Sequence, residues 1–219
     1  MQTRLAATQA DLIKAQNALK EVSTLDPVAQ AAAKERLDDL LYQSDAYTQI
    51  IDNLKNLRRL SDKLENARKD KLAWKPPSGS APWPLSVADD LQFEIMRTQS
   101  QIQYLTQRRA IIDEQLSELK KSRAIVEAEL RQSAQKSQGL AALGTQSNKL
   151  QSTNERRLVR INLELVNFSV DSDAILVEQR TATLLLASLK QTWEFYQHRF
   201  SFSRSEEHTS ELQSHLMIS

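Results

Sequence analysis

Adjacent carboxylates occur at Asp38/Asp39, Asp89/Asp90 and Asp113/Glu114, and adjacent arginines at Arg58/Arg59, Arg108/Arg109 and Arg156/Arg157. Two carboxylates meeting at one spot could share a proton or a cation, and two arginines could clamp a phosphate. On a helix, however, sequence neighbours point about 100° apart, so these carboxylates read as solvated faces or helix starts. The acids scattered among the arginines favour pairing with neighbouring helices over phosphate binding. His198 stands between Tyr196 and Phe200 near a helix end, where a solvated or capping role fits best. The chain has no glycine-rich phosphate loop, His-Glu-x-x-His pattern, nucleophile elbow or Cys/His cluster. The expectation is therefore no catalytic, cofactor-binding or metal-ligating residue, no cofactor, no small-molecule substrate and no enzymatic activity.

The elements carrying these residues are long helices. From Ser86 to Gln138 the seam steps by alternating fours and threes through Leu91, Ile95, Thr98, Ile102, Leu105, Arg109, Ile112, Leu116, Leu119, Arg123, Val126, Leu130 and Ser133. Such a stripe repeats every 3.5 residues and suits lengthwise packing in a left-handed supercoil. At 1.5 Å per residue it predicts a rod of roughly 80 Å, the helix around which the others would be arranged. Arg109 and Arg123 sit on the seam and are expected to meet Glu or Asp of another helix, fixing register.

Leu5, Thr8, Leu12, Ala15, Leu19 and Val22 predict a first helix over Thr3 to Ser23. Asp26 can cap a second at Pro27, which loses no needed donor in the first turn. That helix is expected to reach Trp74, with Ala33, Leu37, Leu40, Tyr47, Ile51, Leu54, Leu57 and Leu64 on its packed side. Four of the five prolines fall in Lys75–Leu85, which no helix can cross. Trp74 and Trp83 flank them, either to pin this loop to the bundle or to offer a proline-rich ligand. Ser86 with Asp89 resembles a capping box, as does Ser152 with Glu155. Gly139 and Gly144 weaken the helical pattern, placing a hairpin turn between 139 and 151. Beyond it Leu158, Ile161, Leu165, Phe168, Ser172, Ile175, Gln179, Ala182, Leu186, Leu189, Trp193, Tyr196 and Phe200 keep one phase, so a helix is expected from Ser152 to Phe202, straight through the loop-like Ser169–Asp173.

Composition agrees with an all-α fold, an elongated antiparallel coiled-coil bundle of long helices. Only 3 glycines and 5 prolines occur in 219 residues, and aromatics make up 5%, too few turn residues for a β-rich fold. Charged residues at 26% suit helices with one buried seam and wet flanks, while the net charge of +1 gives no electrostatic pull toward nucleic acid. With no cysteine there is no disulfide or thiolate chemistry, and the compartment stays open. No run of apolar residues is long enough to span a bilayer, and Met1 does not open a signal peptide.

The segments follow as an N-terminal helical hairpin over 1–74, a Pro/Trp-rich loop over 75–85, a long helical hairpin over 86–203, and a tail over 204–219. The tail Arg204-Ser-Glu-Glu-His-Thr-Ser-Glu-Leu-Gln-Ser-His215, with Ile218-Ser219, resembles the translation of a common sequencing adapter. It holds His208 and His215, and on this reading it is foreign to a natural chain that continues past Ser203.

The block Trp74-Lys-Pro-Pro, then Pro82-Trp-Pro-Leu-Ser-Val-Ala-Asp-Asp-Leu91, a long heptad helix and Asn154-Glu-Arg-Arg-Leu-Val-Arg-Ile-Asn-Leu-Glu-Leu165 resembles the N-terminal extracytoplasmic coiled-coil region of large bacterial channels of the small-conductance mechanosensitive family. The resemblance covers roughly Leu37 to Phe202. It implies a periplasmic helical region of an inner-membrane channel that opens under tension during osmotic downshock. It also implies a homo-oligomer and, as partner, a channel domain that this sequence does not contain, so no conducting or gating residue can be assigned. Two other readings fit the pattern: a generic coiled-coil scaffold or adaptor, cytoplasmic or cytoskeletal, and the helical hairpin of a periplasmic efflux adaptor.

Overall fold

The computed structural model describes residues 1–21, 26–78, 83–139, 144–197 and 200–201, the side chains of 136–139, 144–150 and 200–201 excepted. The fold is all-α, a bundle of four helices: α1 (Gln2–Glu21), α2 (Pro27–Leu72), α3 (Leu85–Gly139) and α4 (Gly144–Tyr196). Two short strands, β1 (Trp83–Pro84) and β2 (Phe200–Ser201), pair in parallel. Among the described residues no helix is long and apolar enough to cross a membrane.

Local chemistry sets the helix limits. The Asp26 carboxylate accepts from the amides of Val28 and Ala29 at 3.1 and 3.0 Å, with Pro27 in the first turn, which is the expected cap. Lys69 and Lys71 occupy the last turn of α2, at the negative end of its dipole. α3 starts at Leu85, so Ser86 lies in its first turn instead of capping it. The two glycines mark the break between α3 and α4, and residues 140–143 lie outside the described set. Because α4 begins at Gly144, Ser152 and Glu155 are interior to it, and the expected helix start there is corrected. Glu155 instead accepts from the Gln151 amide one turn earlier, at 3.1 Å. Ser169–Asp173 is helical, as its unbroken phase required. The expected helix to Phe202 stops at Tyr196, since Phe200 and Ser201 extend to pair with Trp83 and Pro84. Val22, His198 and Arg204–Ser219 lie outside the described residues.

Contacts gather the chain into two units, with α2, α3 and α4 each contributing to both. The first comprises Met1–Arg59 and Arg109–Ala174. Its centre is Tyr47, Ile50 and Leu163, with Leu5, Tyr42, Ala46 and Val166 against them. Leu5 beside this cluster and Ala15 facing Ala33 across one groove make α1 antiparallel to α2. Ile50 and Val126 are fully buried, each worth roughly 1.5–3 kcal/mol over exposure. The packed face of α2 differs from expectation at one step: Ile50 is enclosed while Ile51 is half-buried, and Leu54 is 39% exposed. The second unit comprises Leu60–Arg108 and Ile175–Ser219. Its buried residues include Leu64, Ala88, Leu105, Ile175, Ala182 and Tyr196.

The seam of α3 is buried or half-buried at every expected position except Arg123. The described seam of α4 has no exception, and α4 also buries Asn154, Leu163 and Ala174 off that line. Within the first unit α4 is covered on two sides, meeting α2 through Glu164 and α3 through Ser172.

Candidate functional site

Within the first unit α2 and α4 run parallel and meet through a charged cluster. Glu35, Asp39 and Tyr42 share one face of α2, four and three residues apart; Arg156, Arg160 and Glu164 share one face of α4 at steps of four. Arg156 Nε lies 3.3 Å from Asp39 Oδ2 in an ion pair, and its other arm pairs with Glu35. Arg160 donates to the other oxygen of Asp39, and its guanidinium lies 5.0 Å from the centre of the Tyr42 ring. The Tyr42 hydroxyl donates to Glu164 Oε1 at 2.7 Å. Asp39 is 8% exposed, so two cations compensate a carboxylate largely removed from water.

Burial, the hydrogen bond to Glu164 and that carboxylate's charge raise the Tyr42 phenol from 10.0 to about 12, against a lowering pull from Arg160. The cluster therefore holds neutral tyrosine and paired charges.

Further along, Asn53 donates to Asn167 at 2.8 Å, and Asn167 donates to Gln49 at 3.5 Å. Between α3 and α4 of this unit, Ser172 donates to Asp113 Oδ1 at 3.1 Å. In the second unit Gln179 donates to Thr106 at 2.9 Å. Trp74 Nε1 donates to Thr192 Oγ1 at 3.1 Å, and Trp83 packs edge-on against Tyr196 with ring centres 4.8 Å apart. The two tryptophans thus pin the ends of the proline segment to the last turns of α4. Thr98 and Thr8 are buried but return their hydroxyls to carbonyls one turn back, at 2.7 and 3.0 Å.

The expected candidates separate clearly. Asp38, Asp89, Asp90, Asp113 and Glu114 are exposed, whereas Asp39 is buried and doubly paired, which corrects its reading as solvated. Arg156 does pair with a neighbouring helix, as the interspersed acids suggested. Arg109 and Arg123 do not: each lies near a carboxylate of its own helix, Asp113 at 3.7 Å and Glu127 at 2.7 Å. Arg109 Nε makes no hydrogen bond. A flexible arginine meets a carboxylate one turn away before it reaches across a helix gap. The missed residues are Tyr42 and Arg160, the partners that Glu164 and Asp39 meet across the gap. One signal was present: Glu35 and Asp39, and likewise Arg156 and Arg160, are like charges at i,i+4, an arrangement unfavourable on an isolated helix. Each pair needs an opposite partner, and each supplies the other's.

Among the described residues no group of histidines, cysteines or carboxylates could hold a metal ion. The geometry defines a helical bundle whose polar side chains specify which helix turns lie opposite one another. Compared with known proteins, the chain matches no family model, and no curated protein and no solved structure is significantly similar to it.

Proposed function

We propose that this chain is a non-catalytic brace, the periplasmic helical region of a tension-gated inner-membrane channel of the small-conductance mechanosensitive type. The observation that carries the reading is the closure around the proline segment. The block that resembles the channel family, Trp74 to Leu91, is also where Trp74 and Trp83 fasten the chain to α4. A brace needs helices that resist sliding. Polar contacts at the buried Asp39 and Ser172 support this, because a slip of one turn would strand buried polar groups at a cost of about 1–3 kcal/mol each. The channel domain and a homo-oligomeric assembly around it are the partners, and tension sensing resides in that domain.

Sequencing the genomic locus outward from both ends of this reading frame tests the assignment. A leader peptide upstream and a series of hydrophobic spans downstream support it. A frame closing soon after Phe202 would replace it with a scaffold, and a flanking lipoyl-like β domain with an efflux adaptor. In parallel, the purified 219-residue chain added to planar bilayers is expected to produce no conductance, and currents from it alone would contradict the division between brace and pore.

A further inference from the structure

We propose that the α3 face bearing Ile111, Glu118 and Ile125 pairs with the same face of a second copy of this chain, the two helices running antiparallel about a two-fold axis at Glu118. The inference stands on the α3 surface alone and is independent of the channel assignment. Ile111 and Ile125 lie beside the covered seam positions Ile112 and Val126 and are themselves 57% and 56% exposed. Each lies seven residues from Glu118, two helical turns, so the three share one line. Rotation about Glu118 sets Ile111 of one copy against Ile125 of the other, twice. The seat for that isoleucine is already formed: Ile111 and Leu119 of α3 and Phe168 of α4 line a shallow groove, with Glu114, Gln115, Glu118 and Ser122 around it.

Charge selects both the occupant and its direction. One flank of the line carries Glu114 and then, seven residues on, Lys121; the other carries Gln115 and Ser122. In an antiparallel pair like flanks face each other, so Glu114 of each copy meets Lys121 of the other. In a parallel pair that flank would face Gln115 and Ser122, which carry no charge. Lys121 already lies 2.7 Å from its own Glu118 and so offsets the two Glu118 carboxylates brought together at the axis. From Ile111 to Ile125 the contact is roughly 21 Å long and about 10 Å wide, on the order of 200 Å² per copy, well short of the ~800 Å² per partner of a stable complex. The pairing is therefore transient, and is better trapped than isolated.

The chain has no cysteine, so a single introduced thiol reports without background. Glu118→Cys and, on the opposite side of the helix, Lys120→Cys are oxidised in the full chain and read on non-reducing gels. Disulfides need Cα atoms within about 7 Å, so Glu118→Cys is expected to dimerise roughly ten-fold faster than Lys120→Cys. In the Glu118→Cys background, Glu114→Lys or Lys121→Glu alone slows crosslinking, and the two together restore it, with circular dichroism confirming intact helix. Equal rates for the two thiols would overturn the surface. Rates indifferent to the charge reversals would overturn the antiparallel register.

Discussion

Replacing Asp39 by alanine removes the acceptor for two arginines of α4 and tests whether the charged cluster holds the first unit together. Asp39 takes a hydrogen bond from Arg160 and an ion pair from Arg156 while only 11% of its side chain is exposed. Even if both contacts had the strength of charge-assisted hydrogen bonds, about 1.5–3 kcal/mol each, their sum would be bounded at roughly 6 kcal/mol. The arginine side chains are 36% and 47% exposed, so water recovers much of their loss when Asp39 is gone. Fully solvated pairs are worth only about 0.2–1 kcal/mol. Arg156 also keeps Glu35, and Arg160 keeps the Tyr42 ring. Between these limits Asp39→Ala should cost about 2 kcal/mol, or roughly 4–8 °C in melting temperature for a chain of this length. Glu35→Ala, whose side chain is 59% exposed, should cost under about 1 kcal/mol. Urea unfolding followed by helical circular dichroism measures both, and a double-mutant cycle with Arg160→Ala isolates the pair. If Asp39→Ala is no more costly than Glu35→Ala, or the coupling to Arg160 is below about 0.5 kcal/mol, the cluster does not position α2 on α4.

Three further outcomes follow from the same geometry. Ile50→Ala should cost about 3 kcal/mol, within the usual range for an enclosed isoleucine, and clearly more than Ile51→Ala; equal urea midpoints would return the packed face of α2 to the phase first expected. Asp26→Ala should cost about 1 kcal/mol and speed amide exchange at Val28 and Ala29, which lose their cap. Tyr42 should ionise near pH 12, raised from 10.0 by burial and by Glu164. Because folding raises its value, its contribution to stability is complete below about pH 10 and is lost as pH rises from 10.0 toward 12. Tyr42→Phe should abolish the late step in a tyrosinate absorbance titration.

The parts of the fold legible in the sequence are those where a helix buries one side. In α1 and α3 the alternating steps named nearly every buried position, because a narrow covered strip leaves its period in the pattern. α4 was legible as a helix but not as one covered on two sides. Packed against α2 and α3 within the first unit, it carries Ile161 and Ser172 on one line and Leu163 and Ala174 off it, and two overlapping stripes blur the contrast that marks either. Arg123 shows the converse failure, where the period predicts burial but a long side chain turns back to Glu127 and stays exposed.

Charged contacts are harder to read because their partners are remote in sequence. Asp39 and Arg160 are 121 residues apart, and each alone resembles the wet face of a helix. What distinguishes them is local discomfort: Glu35 repels Asp39 along α2, and Arg156 repels Arg160 along α4, so neither helix gains by these choices in isolation. Brought together, the four residues alternate in sign across the gap. A slide by one turn would put a cation opposite no carboxylate while Asp39 stayed buried. The apolar seams allow such slides, since one leucine packs much like the next. The cluster therefore selects which turns of α2 and α4 face each other, while the burial around Ile50 and Leu163 supplies the bulk of the attraction.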